Sequence, residues 1–132
     1  MNLQPEIIII SAELSHLPLE VNKQRTTSLY NALTDLGVLF KLVKGVYKNN
    51  IETSFVVLCS EDSVNFNRLQ NLAITFNQES ILHLDANRNA TLIYDNGNRE
   101  AIGVFRSVDK STIVNLDSYT YDASSDIYYA CS

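Results

Sequence analysis

Apolar residues recur along this chain with two periods, one fitting strands and one fitting helices. Glu6–Ala12 holds four consecutive isoleucines, a short β-branched run that predicts a buried strand. Ser15–Pro18 breaks it. From about Leu19 to Leu36 the apolar positions return at helical spacing, and Gly37 offers the left-handed stop that only glycine enters freely. Val38–Tyr47 predicts a strand interrupted near Gly45, with Lys48-Asn49-Asn50 as a turn, and Glu52–Cys59 predicts the next. Ser60 reads as the cap of a second helix with Glu61 and Asp62 in its first turn, reaching about Phe76. Ser80–Asp85 is again strand-like. Thr91–Tyr94 and Arg99–Phe105 flank Asp95-Asn96-Gly97-Asn98, whose central Asn-Gly predicts a type I′ hairpin turn.

The order is therefore β-α-β-β-α-β followed by a hairpin. It predicts an α+β fold: a ferredoxin-like βαββαβ sheet with two helices on one face, plus a C-terminal β-hairpin extension. A small doubly wound sheet is the alternative. Residues 1–106 form the expected core domain. The composition changes over 107–132, which carries four aspartates against one lysine and four of the seven tyrosines. This acidic segment reads as a hairpin packed on or extending the core, as a docking surface, or as disorder. As a docking surface it would present Tyr119, Tyr121, Asp122, Asp126, Tyr128 and Tyr129 to a protein partner.

A length of 132 residues fits one domain with a real core. The 45% hydrophobic and 19% charged content is that of a globular chain. A net charge of −5 without a basic run argues against nucleic acid as the target. No apolar run approaches a membrane span, and Met1–Glu6 lacks the basic-then-apolar start of a secretory signal, so no membrane partner and a cytoplasmic location are expected. Cys59 and Cys131 do not form a C-x-x-C pair, and His16 and His83 stand alone in sequence. Neither a metal nor a cofactor is expected, and reduced thiols are favoured over a Cys59–Cys131 disulfide.

Certain polar residues fall where apolar ones belong. On the first helix Arg25 lies within the sector of Val21, Leu29, Ala32, Leu33 and Leu36, with Asn22 at its edge. Such a guanidinium either snorkels to water or needs a partner. The candidate is Glu52, which shares one strand face with Ser54, Val56 and Leu58 and would suit a bidentate pair. Gln78 and Glu79 follow the second helix as turn residues. Folded inward, Gln78 joins Asn22, Arg25, Glu52 and Ser54 in one polar cluster.

These residues also carry a resemblance. The strand ending Ser11-Ala12, the Asn-x-x-Arg of Asn22 and Arg25, Gly37, Gly45, the Glu-x-Ser-Phe of Glu52, Ser54 and Phe55, and the Phe-x-Gln of Phe76 and Gln78 are similar to the domain-of-unknown-function family 3293. The resemblance runs from about Ile7 to Tyr94 and implies that the polar residues belong together. It implies no reaction.

No nucleophile–base–orienter set, P-loop or G-x-S-x-G is present in the sequence. The leading expectation is a non-catalytic protein-interaction domain, a phage protein engaging a host protein, with self-association left open. The alternative is a small-ligand or nucleotide-binding domain using Arg25 with Glu52 and Gln78.

Overall fold

The computed structural model describes residues 4–132; residues 1–3, part of the N-terminal stretch read for a secretory signal, lie outside the described residues. The first strand, β1 (Ile7–Ser11), accounts for its own unbroken apolar run. Side chains alternate across a strand. Ile8 and Ile10 are sealed against the helices, whereas Ile7 and Ile9 line a cavity on the other side. A strand covered on both faces has no face to leave polar.

Helix α1 (Leu19–Leu36) lays Leu29 and Leu33 on the sheet and stops at Gly37, whose φ of 71° is the left-handed cap. β2 (Phe40–Tyr47) and β3 (Asn50–Leu58) form one hairpin, and Gly45 does not interrupt it, because it sits in the ladder opposite Glu52. The turn between them leaves only Lys48 and Asn49 unpaired, both with positive φ (47° and 69°), as a two-residue primed turn requires. Helix α2 (Val64–Thr75) begins later than Ser60 predicts. Ser60 closes a turn with Ser63 and spends its hydroxyl on Glu6 and Asp62, so Ser63 becomes the N-cap.

β4 (Ser80–Leu84), β5 (Asn89–Tyr94) and β6 (Arg99–Val108) follow as a meander. The Asn-Gly turn is not type I′. Of its four residues only Gly97 has positive φ, and Tyr94 and Asn98 pair across a three-residue loop, with the Asn96 side chain accepting the Asn98 N–H at 2.9 Å. β6 runs unbroken through residues 106 and 107. A short 3-10 turn (Lys110–Asn115) leads to β7 (Ser118–Asp122) and β8 (Ile127–Cys131).

The expected open sheet with a hairpin appended is corrected here. The strands form a closed antiparallel barrel in the order β1-β3-β2-β7-β8-β6-β5-β4, with β4 returning to β1. A ferredoxin-like sheet would leave β2 and β4 as edges with unpaired backbone groups. Instead β7 pairs along Lys44–Tyr47 of β2, and β5 pairs along the whole of β4. The C-terminal hairpin is thus two staves of the wall. A doubly wound sheet is excluded too, since every pairing is antiparallel.

Two cores result. One lies between the helices and the outer wall, built on Phe55, Val57, Leu29, Leu33 and Leu69. The other side of β1 and β3 faces the lumen, where the Lys41 ammonium pairs with Asp122, 2% exposed, and joins β2 to β7. Both cysteines are free, and no helix among the described residues is long and apolar enough to cross a membrane.

Two outcomes follow from the closure. Gly103 has φ of 108°, and a Cβ there would stand 2.5 Å from the Ser132 carbonyl oxygen. Gly103→Ala is therefore expected to lose about 1–3 kcal/mol, read as a lower urea midpoint; an unchanged midpoint contradicts the close approach. For Asp122, burial alone would raise the carboxyl, but the Lys41 ammonium and the hydroxyls of Ser124 and Ser125 outweigh it and hold it at about 2. A carboxyl depressed on folding stabilises above its unfolded value and loses that contribution as pH falls through the folded one. The stability gap between wild type and Asp122→Asn should shrink as pH drops from about 4 to about 2, and a gap constant with pH contradicts the pairing.

Candidate functional site

The loop between β1 and α1 is the centre of the polar network. Its backbone carbonyls and amides are met at the end of β1 by side chains from β1, α1 and the turn after α2. Asn22 is buried and bonds Leu14 twice, its Oδ1 accepting the Leu14 N–H at 3.0 Å and its Nδ2 donating to the Leu14 carbonyl at 2.8 Å. Arg25 donates from Nε to the Ala12 carbonyl at 2.7 Å and from a terminal amino group to the Phe76 carbonyl, with its guanidinium 5.5 Å from the Phe76 ring centroid. Gln78 donates to the Glu13 carbonyl at 3.0 Å. Glu13 reaches the opposite way, accepting from the Thr53 N–H and the Thr26 hydroxyl, both at 3.1 Å.

The expected Arg25–Glu52 ion pair does not form among the described residues. Arg25 satisfies its charge on two carbonyls and a ring, which ties the loop after β1 to the end of α2. Glu52 lies instead beside Ser54, whose buried hydroxyl donates to it at 3.4 Å. Burial pushes the Glu52 carboxyl above the usual carboxylate range, and the Glu13 charge adds to this against the hydroxyls of Ser11 and Ser54.

Around these groups lies a cavity of about 460 Å³ at the barrel end where β1 finishes. Asn22, Glu52 and Gln78 line it; Arg25 and Ser54 stand behind its wall. Glu13 and Glu79 add two more carboxylates, Tyr47 and Tyr119 supply aromatic rings, and Leu14, Val46 and Ile51 are apolar. No Lys, Arg or His is among the described residues lining it. Sequence reasoning missed Glu13. The available signal was its position directly after a strand, in the short loop that feeds a helix, where binding groups collect.

The acidic, tyrosine-rich set divides: Tyr119, Tyr121, Tyr128 and Asp126 stay together, with Tyr119 6.0 Å from Tyr128 between ring centroids, whereas Asp122 and Tyr129 line the lumen. Tyr119 lines the cavity just described, while Asp122 is sealed in its ion pair with Lys41 and is not offered to a partner. Tyr121 donates its hydroxyl to Asp126 at 2.8 Å and packs against Tyr128 at 4.6 Å between ring centroids. Tyr129 turns the other way and stacks on Phe105 at 5.1 Å.

Elsewhere, Glu6, Glu61 and His83 place ligand atoms within 4.8 Å of one another. Each is already engaged: His83 Nε2 lies 2.8 Å from Glu6 Oε1, and Arg99 pairs with Glu61. A cation there would have to displace the guanidinium. His16 is exposed on the loop before α1.

Comparison with known families gives one finding. The sequence pattern that defines the S-adenosylmethionine lyase family matches residues 8–132. No curated protein matches the chain. The match overturns the resemblance to family 3293, whose short motifs covered only part of the chain. It also overturns the non-catalytic interaction reading, because the family is named for a bond-breaking reaction, and it lends nothing to the phage–host expectation. The small-ligand alternative fits better.

The raised carboxyl of Glu52 carries a sign that can be tested. A carboxyl whose value rises on folding binds its proton more tightly in the folded state, so stability falls as pH rises through that window. Glu52→Gln removes the buried charge and is expected to melt higher than wild type at pH 7, the difference closing below about pH 4. A lower melting temperature at pH 7 contradicts the assignment.

Proposed function

The chain belongs to the S-adenosylmethionine lyase family, and we propose that it cleaves S-adenosylmethionine in the cavity lined by Glu13, Glu52 and Glu79. The observation that carries this reading is the sign of that cavity. Three carboxylates and no cationic side chain among the described residues line it. The substrate brings two positive groups, a sulfonium and an ammonium, against one carboxylate. Its net charge complements the walls.

A lyase adds neither water nor electrons, so the C–S bond breaks either by elimination, which needs a base to take a proton, or by displacement from within the substrate. We take the displacement, because the α-carboxylate of the amino-acid arm reaches Cγ in a five-membered ring. The α-carboxylate oxygen bonds to Cγ, the Cγ–S bond breaks, and its electron pair passes to sulfur. The products are a five-membered lactone and the neutral thioether methylthioadenosine, and no proton moves.

The chain's task is then to bind, fold and dry the substrate. In this reading an acidic side chain, Glu52 foremost, holds the ammonium and so fixes the arm in its curled, ring-closing shape. Tyr47 or Tyr119 offers a flat face to the adenine or to the sulfonium. Leu14, Val46 and Ile51 lower the local polarity. That matters because the reacting carboxylate and sulfonium cancel each other's charge in the transition state, so removing water raises the ground state more than the transition state. Arg25 and Asn22 act one step back, holding the loop that carries Glu13.

The test is direct. Purified protein incubated with S-adenosylmethionine should release methylthioadenosine in step with substrate loss. Glu52→Gln should lower kcat/KM at least about tenfold, and Glu79→Gln should act mainly through KM. Wild-type protein that forms no methylthioadenosine above the buffer background overturns the proposal.

A further inference from the structure

Eight-stranded barrels are narrow, and their interiors are either filled by side chains or shaped to hold one small ligand. This barrel keeps an opening of about 400 Å³ at the end where β1 begins, away from the acidic cavity. Ile7, Ile9, Val56 and Leu84 make apolar walls, and the stacked rings of Phe105 and Tyr129, tilted by only 7°, give it a flat side. Two cations reach it. The Lys41 ammonium is neutralised by Asp122, which also accepts from Ser124. Arg88 spends one amino group on the carbonyls of Pro5 (2.7 Å) and Asp85 (3.2 Å); its Nε and other amino group have no protein acceptor among the described residues. Those two groups make the paired fork that a carboxylate fits best.

We propose that the barrel lumen is a second binding site, for a small carboxylic acid with an apolar body, its carboxylate held by Arg88 beside Lys41 and its hydrocarbon part between Ile7, Ile9, Val56 and Leu84. The site has the opposite sign to the acidic cavity. The residues lining the lumen include Lys41 and Arg88 against Asp122, with Asp85 beside Arg88 outside that lining, whereas the charged residues lining the cavity at the other end are all acids. A ligand whose net charge is negative is repelled at one end and drawn in at the other. The apolar walls select an acid with a hydrocarbon body over inorganic anions, which gain nothing from leaving water beside isoleucine.

The experiment uses octanoate as the probe, with octanol and octylamine as matched controls. Titrating octanoate into the full-length protein should raise Tm and shift the methyl resonances of Ile7, Ile9 and Val56. Octanol and octylamine should bind at least about tenfold more weakly, the difference set by the charge-assisted pair. Arg88→Gln should reduce octanoate to the level of octanol while leaving the cleavage of S-adenosylmethionine unchanged, since Arg88 does not line the acidic cavity. Equal binding of octanoate and octanol to wild type overturns the proposal without recourse to any variant. So does the absence of methyl shifts, or an Arg88→Gln protein that binds octanoate as wild type does.

Discussion

A strand edge carries a row of backbone N–H and C=O groups that must find partners, and the need to close the sheet on itself governs this molecule. The β2–β3 hairpin and β1 would by themselves end in an edge at β2, long and rich in apolar residues. β7 covers it through Lys44–Tyr47, β8 follows, and the meander of β4, β5 and β6 completes the circuit. Closure makes a lumen, and the lumen makes the inward residues of β1, β2 and β3 into lining rather than surface. Lys41, Ser54 and Glu52 acquire their environments in this way. The register shift between Ala90 and Thr91 and the positive φ of Gly103 supply the local bends that let β5 and β6 turn the wall.

Closure fixes the wall, but the acidic cavity is positioned by hydrogen bonds to one loop. After Ser11 the chain leaves the sheet, and its peptide groups would face the interior unpaired. Ser11, which accepts the Glu13 N–H, and Asn22, Arg25 and Gln78 satisfy them from β1, α1 and the turn after α2, and Glu13 reaches back to β3. The loop is thereby held from four sides, and the carboxylates it carries or adjoins are held with it. Preorganisation of this kind suits a reaction in which the substrate supplies its own nucleophile, because what remains for the protein is geometry.

Much of the element order was legible in the sequence. The isoleucine run and the helix ending at Gly37 stand where the pattern put them; of that helix's expected apolar stripe Leu29 and Leu33 are buried, whereas Val21 is exposed and Asn22 beside it is buried instead. Closure was not legible, because strand pairing between Tyr119 and Val46 or Thr120 and Gly45 leaves no local mark. The two turns exchanged roles for a related reason. Lys48-Asn49 took the primed geometry because the β2–β3 register demanded a two-residue loop there, while in the other turn only Gly97 has positive φ and the Asn96 side chain accepts the Asn98 N–H. At the site, the polar residues singled out in the sequence lie near one loop and the strand beside it, but Arg25 and Glu52 do not pair. Sequence reasoning sought a carboxylate for Arg25 because a guanidinium near a core needs acceptors, yet carbonyls freed by an adjacent loop meet that need without a second charge.

The freedom of Glu52 from Arg25 is itself informative. Had the two paired, the charge of that carboxylate would have been spent, leaving Glu13 and Glu79 to face a substrate. With Arg25 turned to Ala12 and Phe76, Glu52 stays in like-charged company beside Glu13, an arrangement that costs folding energy. Of the lysines on β2, Lys44 sits opposite Thr53 and donates to its hydroxyl at 2.7 Å, on the other face of β3 from Glu52, and Lys41 lies further along and is occupied by Asp122; the β-ladder keeps each side chain on its own register position. A rigid barrel can thus hold apart charges that a flexible chain would bring together. The carboxylates gathered at one mouth, with no cationic side chain among the described lining residues, are what the proposed doubly cationic substrate would use.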